Sequence, residues 1–212
     1  SLFGFEWKRS LDNYYKDVSN SSTSQLNKIF RQIYGGIDSD SVTTRLKSPN
    51  GLMGAMQLRM ANELACYAVP RDFWSPQGER ELFLFVNHDM SPYDDSGALD
   101  ESIMTRVRQN IQYLHVYLLG EELPEEAEEL LISEQLFMDS LNRGRQLILA
   151  SGGEWSDIAL PGDCDVTKEL NGTLLYEKDV RDDRLREDRQ YVIRAWMAVV
   201  AYLLADYKFL YS

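Results

Sequence analysis

A segment rich in potential metal ligands begins at the first histidine of the chain. His88 and Asp89 are followed closely by further carboxylates, those of Asp94, Asp95, Asp100 and Glu101. Oxygen ligands at this density suit Ca²⁺, but the spacing and the glycine of an EF-hand loop are missing. A second acidic set, Asp163, Asp165 and Glu169, is equally incomplete. Both sets are therefore interpreted as solvated acidic loops, and we expect no bound metal and no cofactor.

Enzymes that use a nucleophile or a catalytic metal have sequence patterns that this chain lacks. There is no GxSxG, HExxH, P-loop or GxGxxG pattern, and no Glu-x-x-His pair of a di-iron bundle. The other histidine, His115, follows Leu114 within a helical apolar pattern and is predicted to be a partly buried structural residue. With two histidines in the chain, one of them predicted to be structural, a His-dependent catalytic triad is not favoured.

Acidic and aromatic side chains define the candidate binding residues. These are His88, Asp89, Tyr93, Asp94, Asp95, Trp74 and Trp155. If they formed an active site, carboxylates of the 87–101 loop would act beside the three aromatic rings, as in a hydrolase of carbohydrate or another polymer. Carboxylates aligned in an aromatic-lined cleft would favour that enzyme, whereas a flat apolar surface would favour a binding module.

The charge balance narrows the classes of partner. Asp and Glu number 34 against 22 Lys and Arg, which gives a net charge of -12. Nucleic acids and anionic lipid surfaces both bind to basic protein surfaces, so neither is expected here. The most apolar run, residues 195–205, is flanked by Arg194 and Asp206 and is too short to span a membrane. We therefore expect a protein or polymer partner.

The composition predicts one domain over residues 1–212. Hydrophobic residues make up 44% of the 212 positions, and no linker, repeat or low-complexity segment divides them. The chain begins with Ser1 rather than Met. From this we expect that an upstream segment, such as an export signal, has been removed.

Helical periodicity dominates the first part of the chain. A first helix is predicted on Trp7, Leu11, Tyr14 and Val18, and a second over 26–34, before Gly35-Gly36. A short turn or helix follows at 41–46. Ser48-Pro49 then starts a helix whose apolar face is Met53, Met56, Met60, Leu64 and Tyr67, and Pro70 is predicted to end it.

Three more helices are predicted before the long loop of residues 151–183. A short helix starts at Ser75-Pro76 and leads into the apolar run 82–86, and the polar loop 87–98 follows. The next helix runs through Ile103, Val107, Ile111, Leu114 and Leu118 to Gly120. Another begins at Pro124, with acidic residues that favour a helix N-terminus, and buries Leu130, Ile132, Phe137, Leu141 and Ile148.

The last third of the chain combines a long loop with a closing helix. Residues 151–183 show no periodicity, although 157–160 and 173–176 are predicted to pair as a small β-hairpin. The closing helix, from about Arg186 to Leu210, carries apolar residues on nearly all sides, including Trp196. A helix without a polar face belongs in the centre of a bundle.

Two segments carry a resemblance to a known group of proteins. They are Gly51-Leu52-Met53 through the run Arg59–Cys66, and Ala195-Trp196-Met197 through the run Tyr202–Tyr211. These resemble the helical domains of uncharacterised exported bacterial proteins that are often found with cytochrome c-like modules. The resemblance implies an exported α-helical domain and transfers no catalytic residue. It also suggests an electron-transfer partner, although the chain has no CxxCH for haem attachment.

These observations predict a mainly α-helical, bundle-like domain of about six principal helices with a long irregular loop. The favoured function is a non-catalytic, exported binding or assembly module, located in the periplasm or outside the cell. The alternative is the polymer hydrolase described above.

The two cysteines give the first testable prediction. Cys66 and Cys164 are either both free and buried or joined as a disulfide. We expect the disulfide, which would tie the long loop to the methionine-faced helix and contribute roughly 4–5 kcal/mol in the chain-entropy model. Thiol titration of the denatured, unreduced protein should then find no free thiol. Two free thiols would reject the bridge.

Overall fold

The computed structural model describes residues 8–11, 14–17, 51–94, 97–161, 164 and 185–210. Within these ranges the protein is a helical bundle, as predicted. The strands are β1 (Lys8–Leu11) and β2 (Tyr14–Asp17). The α-helices are α1 (Gly51–Trp74), α2 (Glu101–Leu119), α3 (Glu128–Ser151), α4 (Trp155–Ile158) and α5 (Val192–Ala205). Short 3₁₀ helices cover Gln77–Glu79 and Tyr207–Leu210.

The predicted first helix is wrong, because β1 and β2 pair as an antiparallel hairpin. Leu11 pairs with Tyr14, so only Asp12 and Asn13 separate the strands in sequence. Residues three apart are neighbours on a helix, but they also face each other across a two-residue hairpin connection. The spacing of Leu11 and Tyr14 therefore fits both structures. The helix predicted over 26–34 and the turn at 41–46 lie outside the described residues.

Helix α5 lies at the centre of the bundle, as its sequence predicts. It packs against α1, α2 and α3, and the Trp196 side chain is 0% exposed. The centroid of the Trp196 ring is 4.7 Å from that of Phe137 and 5.2 Å from that of Phe83. Large rings from three parts of the chain therefore meet at one point of the core.

Helix α5 starts later than predicted because the residues before it are used differently. Leu160 N–H donates to the Arg186 carbonyl, and Asp188 N–H donates to the Ile158 carbonyl. The buried Asp188 carboxylate then accepts hydrogen bonds from Ile193 N–H and Arg194 N–H in the first turn of α5. These hydrogen bonds provide acceptors for two backbone N–H groups at the N-terminus of α5, which begins at Val192.

Two other helix boundaries differ from the prediction. Helix α1 continues through Pro70 to Trp74, although proline removes one helical hydrogen bond. Its last turn is held by tertiary contacts, since the buried Phe73 ring stacks on Phe83 at 4.0 Å. Helix α3 starts at Glu128 because Pro124 opens a turn, closed by Ala127 N–H on the Pro124 carbonyl, before the helix.

The faces of these helices mostly match the prediction. Leu130, Phe137 and Leu141 are buried on α3, whereas Ile132 is exposed and Ile148 is half-buried. Helix α2 ends at Gly120 as expected, in the left-handed conformation that favours glycine. In the middle of α3, Gly144 lies under the Tyr191 ring, and a Cβ there would be 1.9 Å from Tyr191 Cγ. Helix α3 can approach the start of α5 this closely only with glycine at this position.

The predicted hairpin of residues 157–160 is wrong in this segment, because Trp155–Ile158 is a helical turn. Ala159 forms a β-bridge with Glu187 instead, and the proposed partner strand at 173–176 lies outside the described residues. The structure places Cys66 and Cys164 as a disulfide, with their Cα atoms 4.8 Å apart. Among the residues that the structure describes, no helix combines the length and apolar character needed to cross a membrane.

The two tryptophans of contrasting burial test this architecture. Trp196→Ala should remove about 3–5 kcal/mol of unfolding free energy, because the cavity would open at the centre of the core. Trp155→Ala should leave the melting temperature nearly unchanged, since Trp155 is 54% exposed. Thermal unfolding of both variants measures the difference. Equal and small losses would contradict a core centred on α5.

Candidate functional site

The structure gives the predicted acidic residues separate roles. His88 and Asp89 are exposed, and the His88 ring meets Phe73 edge to face with centroids 6.4 Å apart. Asp94 closes a turn, because its Oδ1 accepts a hydrogen bond from Ala98 N–H at 2.9 Å. Asp95 lies outside the described residues. Within the described ranges, no three or more His, Cys, Asp or Glu side chains group as metal ligands would.

The three predicted aromatic residues have three different environments. Tyr93 is half-buried, with the Arg145 guanidinium 4.6 Å from its ring centroid in a cation–π contact. Trp74 is half-buried and packs against the core at the end of α1. Trp155 is exposed on α4. That these residues bind a ligand stays a prediction.

A second group of residues forms a surface that the sequence did not indicate. It depends on the segment 80–87, which the side chains of Asp72 and Arg80 hold in place. The Asp72 carboxylate accepts hydrogen bonds from Glu81 N–H at 2.7 Å and Phe83 N–H at 2.9 Å. Burial raises the pKa of Asp72, while these hydrogen bonds and Arg80 act in the opposite direction. Through its two hydrogen bonds, the Asp72 side chain provides acceptors for the backbone of a segment that has no regular secondary structure.

Arg80 fixes the same segment from its other side. Its guanidinium donates to the Ser75 carbonyl at 3.0 Å, to the Phe73 carbonyl at 3.0 Å and to Asn87 Oδ1 at 2.6 Å. Burial lowers the pKa of Arg80, and the nearby Asp72 carboxylate opposes that shift. Hydrogen bonds of a charged donor to several acceptors give a rigid local geometry.

Asn110 completes the fixation from helix α2. It is fully buried, its amide donates to the Leu82 carbonyl at 3.0 Å, and its Oδ1 accepts from Phe85 N–H at 3.3 Å. The side chain thus pairs with the backbone as a neighbouring strand would. As a result Leu82, Phe83 and Val86 face the core, while Leu84 and Phe85 are exposed.

Phe85 continues into a row of aromatic rings on α2. Its ring centroid lies 6.3 Å from that of Tyr113, in an edge-to-face contact. Tyr113 stacks on Tyr117 at 5.5 Å, as the spacing of four helical residues allows. We call the set Phe85, Tyr113 and Tyr117 the aromatic surface.

Glu81 holds both tyrosines of the aromatic surface. The Tyr113 hydroxyl donates to the Glu81 carbonyl at 2.7 Å, and the Tyr117 hydroxyl donates to Glu81 Oε2 at 3.1 Å. Burial and this carboxylate raise the pKa of Tyr117 to about 12. Both phenols therefore stay protonated at neutral pH, and the surface is apolar with one carboxylate at its edge.

A cleft of about 420 Å³ lies between α2 and α3. Its cation, Arg108, is already paired: the guanidinium contacts Glu134 at 3.1 Å and Glu101 at 2.5 Å. These carboxylates raise the pKa of Arg108 further. Glu125, Glu126 and Leu131 complete the rim. With its guanidinium already paired to two carboxylates, this cleft offers little attraction to an anionic ligand.

A buried cluster between α2 and α3 has the geometry of a Ser-His-Glu triad. His115 Nε2 lies 3.0 Å from Ser133 Oγ, and Nδ1 lies 3.3 Å from Glu121 Oε2. However, Ser133 is 0% exposed, and its hydroxyl also lies 3.0 Å from the Glu129 carbonyl within α3. A nucleophile needs access to its substrate, which this hydroxyl lacks. His115 lies within helix α2, as predicted, but it is buried rather than partly buried, and the sequence did not identify its partners.

Asn110 provides a test of how the aromatic surface is held. Asn110→Leu would leave the Leu82 carbonyl and the Phe85 N–H without partners, and each buried unpaired group costs about 1–3 kcal/mol. The control is Gln109→Leu, an exposed neighbour on the same helix. Denaturant unfolding should show a clear loss for Asn110→Leu alone, with faster hydrogen exchange at Phe85. Equal unfolding free energies would mean that Asn110 does not hold the segment.

No family model, curated protein or solved structure matches this chain. The resemblance of its two helical segments to exported bacterial domains stays a prediction.

Proposed function

We propose that the protein is a non-catalytic, exported binding or assembly module that contacts a protein partner through the aromatic surface. The observation that carries this proposal is that the Phe85 side chain is 40% exposed. Its segment is held in place by hydrogen bonds of Asp72, Arg80 and Asn110. The hydrogen bond from Phe85 N–H to Asn110 fixes the backbone that carries the exposed ring.

Rigid aromatic residues are efficient contacts. Binding costs less conformational entropy when the side chains are already ordered, and Tyr113 and Tyr117 are ordered by stacking and by Glu81. Tyrosine is also enriched among the residues that dominate interface energies. Phe85 is exposed and the two tyrosine rings beside it are half-buried, so this surface offers apolar contacts to the side chains of another protein.

The charge of the module suggests the chemistry of its partner. Glu81 lies at the edge of the aromatic surface, and the whole chain carries a net charge of -12. Complementary charge steers association and selects partners. The partner should therefore present apolar side chains flanked by lysine or arginine.

Three observations weigh against the polymer hydrolase. Asp94 is engaged in its own turn, and His88 and Asp89 are exposed on the surface rather than enclosed in a cleft. The triad-like cluster is closed to substrate. These features leave the binding module as the better-supported function. Electron transfer rests on the sequence resemblance alone.

The location proposed for the module is the periplasm or the extracellular space. The Cys66–Cys164 disulfide supports it, because such bonds persist in oxidising compartments.

A peptide array tests the aromatic surface. The purified protein is applied to arrayed random peptides, and bound sequences should be rich in apolar and basic residues. Phe85→Ser should weaken the selected peptides about tenfold, as loss of a central contact worth ~1.4 kcal/mol requires. The matched control is Leu149→Ser, which removes an exposed apolar side chain from the end of α3.

The outcomes separate the functions. Equal weakening by both variants, or none by Phe85→Ser, would reject the aromatic surface as the contact. Release of reducing ends from soluble polysaccharides by the wild-type protein would instead favour the hydrolase.

A further inference from the structure

The buried His115 cluster joins three parts of the fold. His115, 2% exposed near the end of α2, lies between Ser133 of α3 and Glu121 of the connection that follows α2. The other carboxylate oxygen of Glu121 pairs with Lys208 Nζ in the 3₁₀ helix Tyr207–Leu210. One carboxylate is therefore shared between a buried imidazole and the last element that the structure describes.

The cluster satisfies its hydrogen bonds with His115 either neutral or protonated. When the ring is neutral, Nδ1–H donates to Glu121, and the Ser133 hydroxyl donates to Nε2. When the ring is protonated, both nitrogens donate, and Ser133 must accept at Oγ. The hydroxyl can then donate to the Glu129 carbonyl, which lies 3.0 Å away. Ser133 has an acceptor within reach in both states.

We propose that this cluster is an acid-sensitive latch, in which protonation of His115 weakens the Glu121–Lys208 ion pair and releases the C-terminal 3₁₀ helix. The protonated imidazole places a second cation on the carboxylate that holds Lys208. Coupling between two sites is reciprocal. The Lys208 ammonium group must therefore disfavour protonation of His115 by the same free energy by which protonation of His115 weakens the Glu121–Lys208 ion pair.

The charged groups around the ring support this direction. Glu121 faces Nδ1, Glu129 lies on α3, and Lys208 lies on the 3₁₀ helix, where Asp206 accepts from Lys208 N–H. The buried side chains of α5, which also packs against α2, are apolar. The protonation state of His115 is thus set by burial, two carboxylates and one ammonium group.

Burial is the largest influence and lowers the pKa of His115, with Lys208 acting in the same direction. Glu121 and Glu129 oppose it. Lys208 is the main cause that lowers the pKa of Glu121, so this carboxylate stays ionised when His115 titrates.

A folded-state pKa below the ordinary histidine value of about 6.5 means that the unfolded chain binds the proton more readily. The stabilisation by neutral His115 is therefore complete above about pH 6.5 and is lost as the pH falls below it.

Release of the 3₁₀ helix would uncover apolar surface. Phe209 packs against the core from this helix, and the helix lies against α2 and α5. The latch would thus make the exposure of this apolar surface depend on pH. It does not depend on the aromatic surface or on its proposed partner.

Titration of the imidazole measures the coupling directly. The His115 ring proton signals are followed by NMR from pH 4 to pH 8 in the wild type and in Lys208→Met, with His115→Gln used to assign the signal. Removal of the ammonium group should raise the pKa of His115. An unchanged pKa in Lys208→Met would overturn the latch.

Hydrogen exchange measures the release. After correction for intrinsic pH dependence, protection of the Phe209 amide should be lower at pH 5 than at pH 8, because protonation of His115 weakens the ion pair that holds this helix. His115→Gln should remove this pH dependence, while His88→Gln, a change at the exposed histidine, should keep it. If His115→Gln does not fold, Lys208→Met replaces it and should show weak protection at both pH values. Protection that is independent of pH in the wild type would overturn the proposal.

Discussion

Helix α5 carries apolar side chains on nearly all sides, and exposure of these side chains to water would reduce the stability of the protein. The other long helices therefore have to enclose it, and the arrangement of the bundle follows from this requirement. Trp196 marks the centre, where Phe83 and Phe137 reach it from different parts of the chain. Helix α3 can close on the start of α5 because Gly144 leaves room for the Tyr191 ring.

Enclosure of α5 also requires core side chains from the segment 80–87, which has no regular secondary structure. Phe83 belongs to the core, but it lies in a stretch whose backbone groups have no helix or sheet to pair with. Asp72, Arg80 and Asn110 supply those partners. Each is a polar side chain that would otherwise be costly to bury, and each is paired with the backbone. The outward direction of Leu84 and Phe85 is thus a by-product of placing Leu82 and Phe83 inside.

The sequence predicted those parts of the fold that depend on local pattern. The central position of α5 followed from its lack of a polar face, and the range of α2 followed from its apolar stripe and Gly120. The hairpin was missed because the spacing of Leu11 and Tyr14 fits a helix equally well. Helix starts at Val192 and Glu128 were misplaced because they depend on Asp188 and on the turn after Pro124. The aromatic surface was missed for a different reason. Its geometry depends on the pairs Asp72–Phe83, Leu82–Asn110 and Glu81–Tyr117, which are distant in sequence and leave no periodic signal.

The disulfide between Cys66 and Cys164 closes a covalent ring across a sequence separation of 98 residues. Helices α2 and α3 both lie within this ring, whereas α5 lies outside it. A protease that cuts once between these cysteines therefore opens the ring without separating the chain into two molecules. The fragments stay joined at α1, and α5 remains covalently attached to the helices that enclose it. Such a nick would separate the protein into two smaller fragments only after reduction.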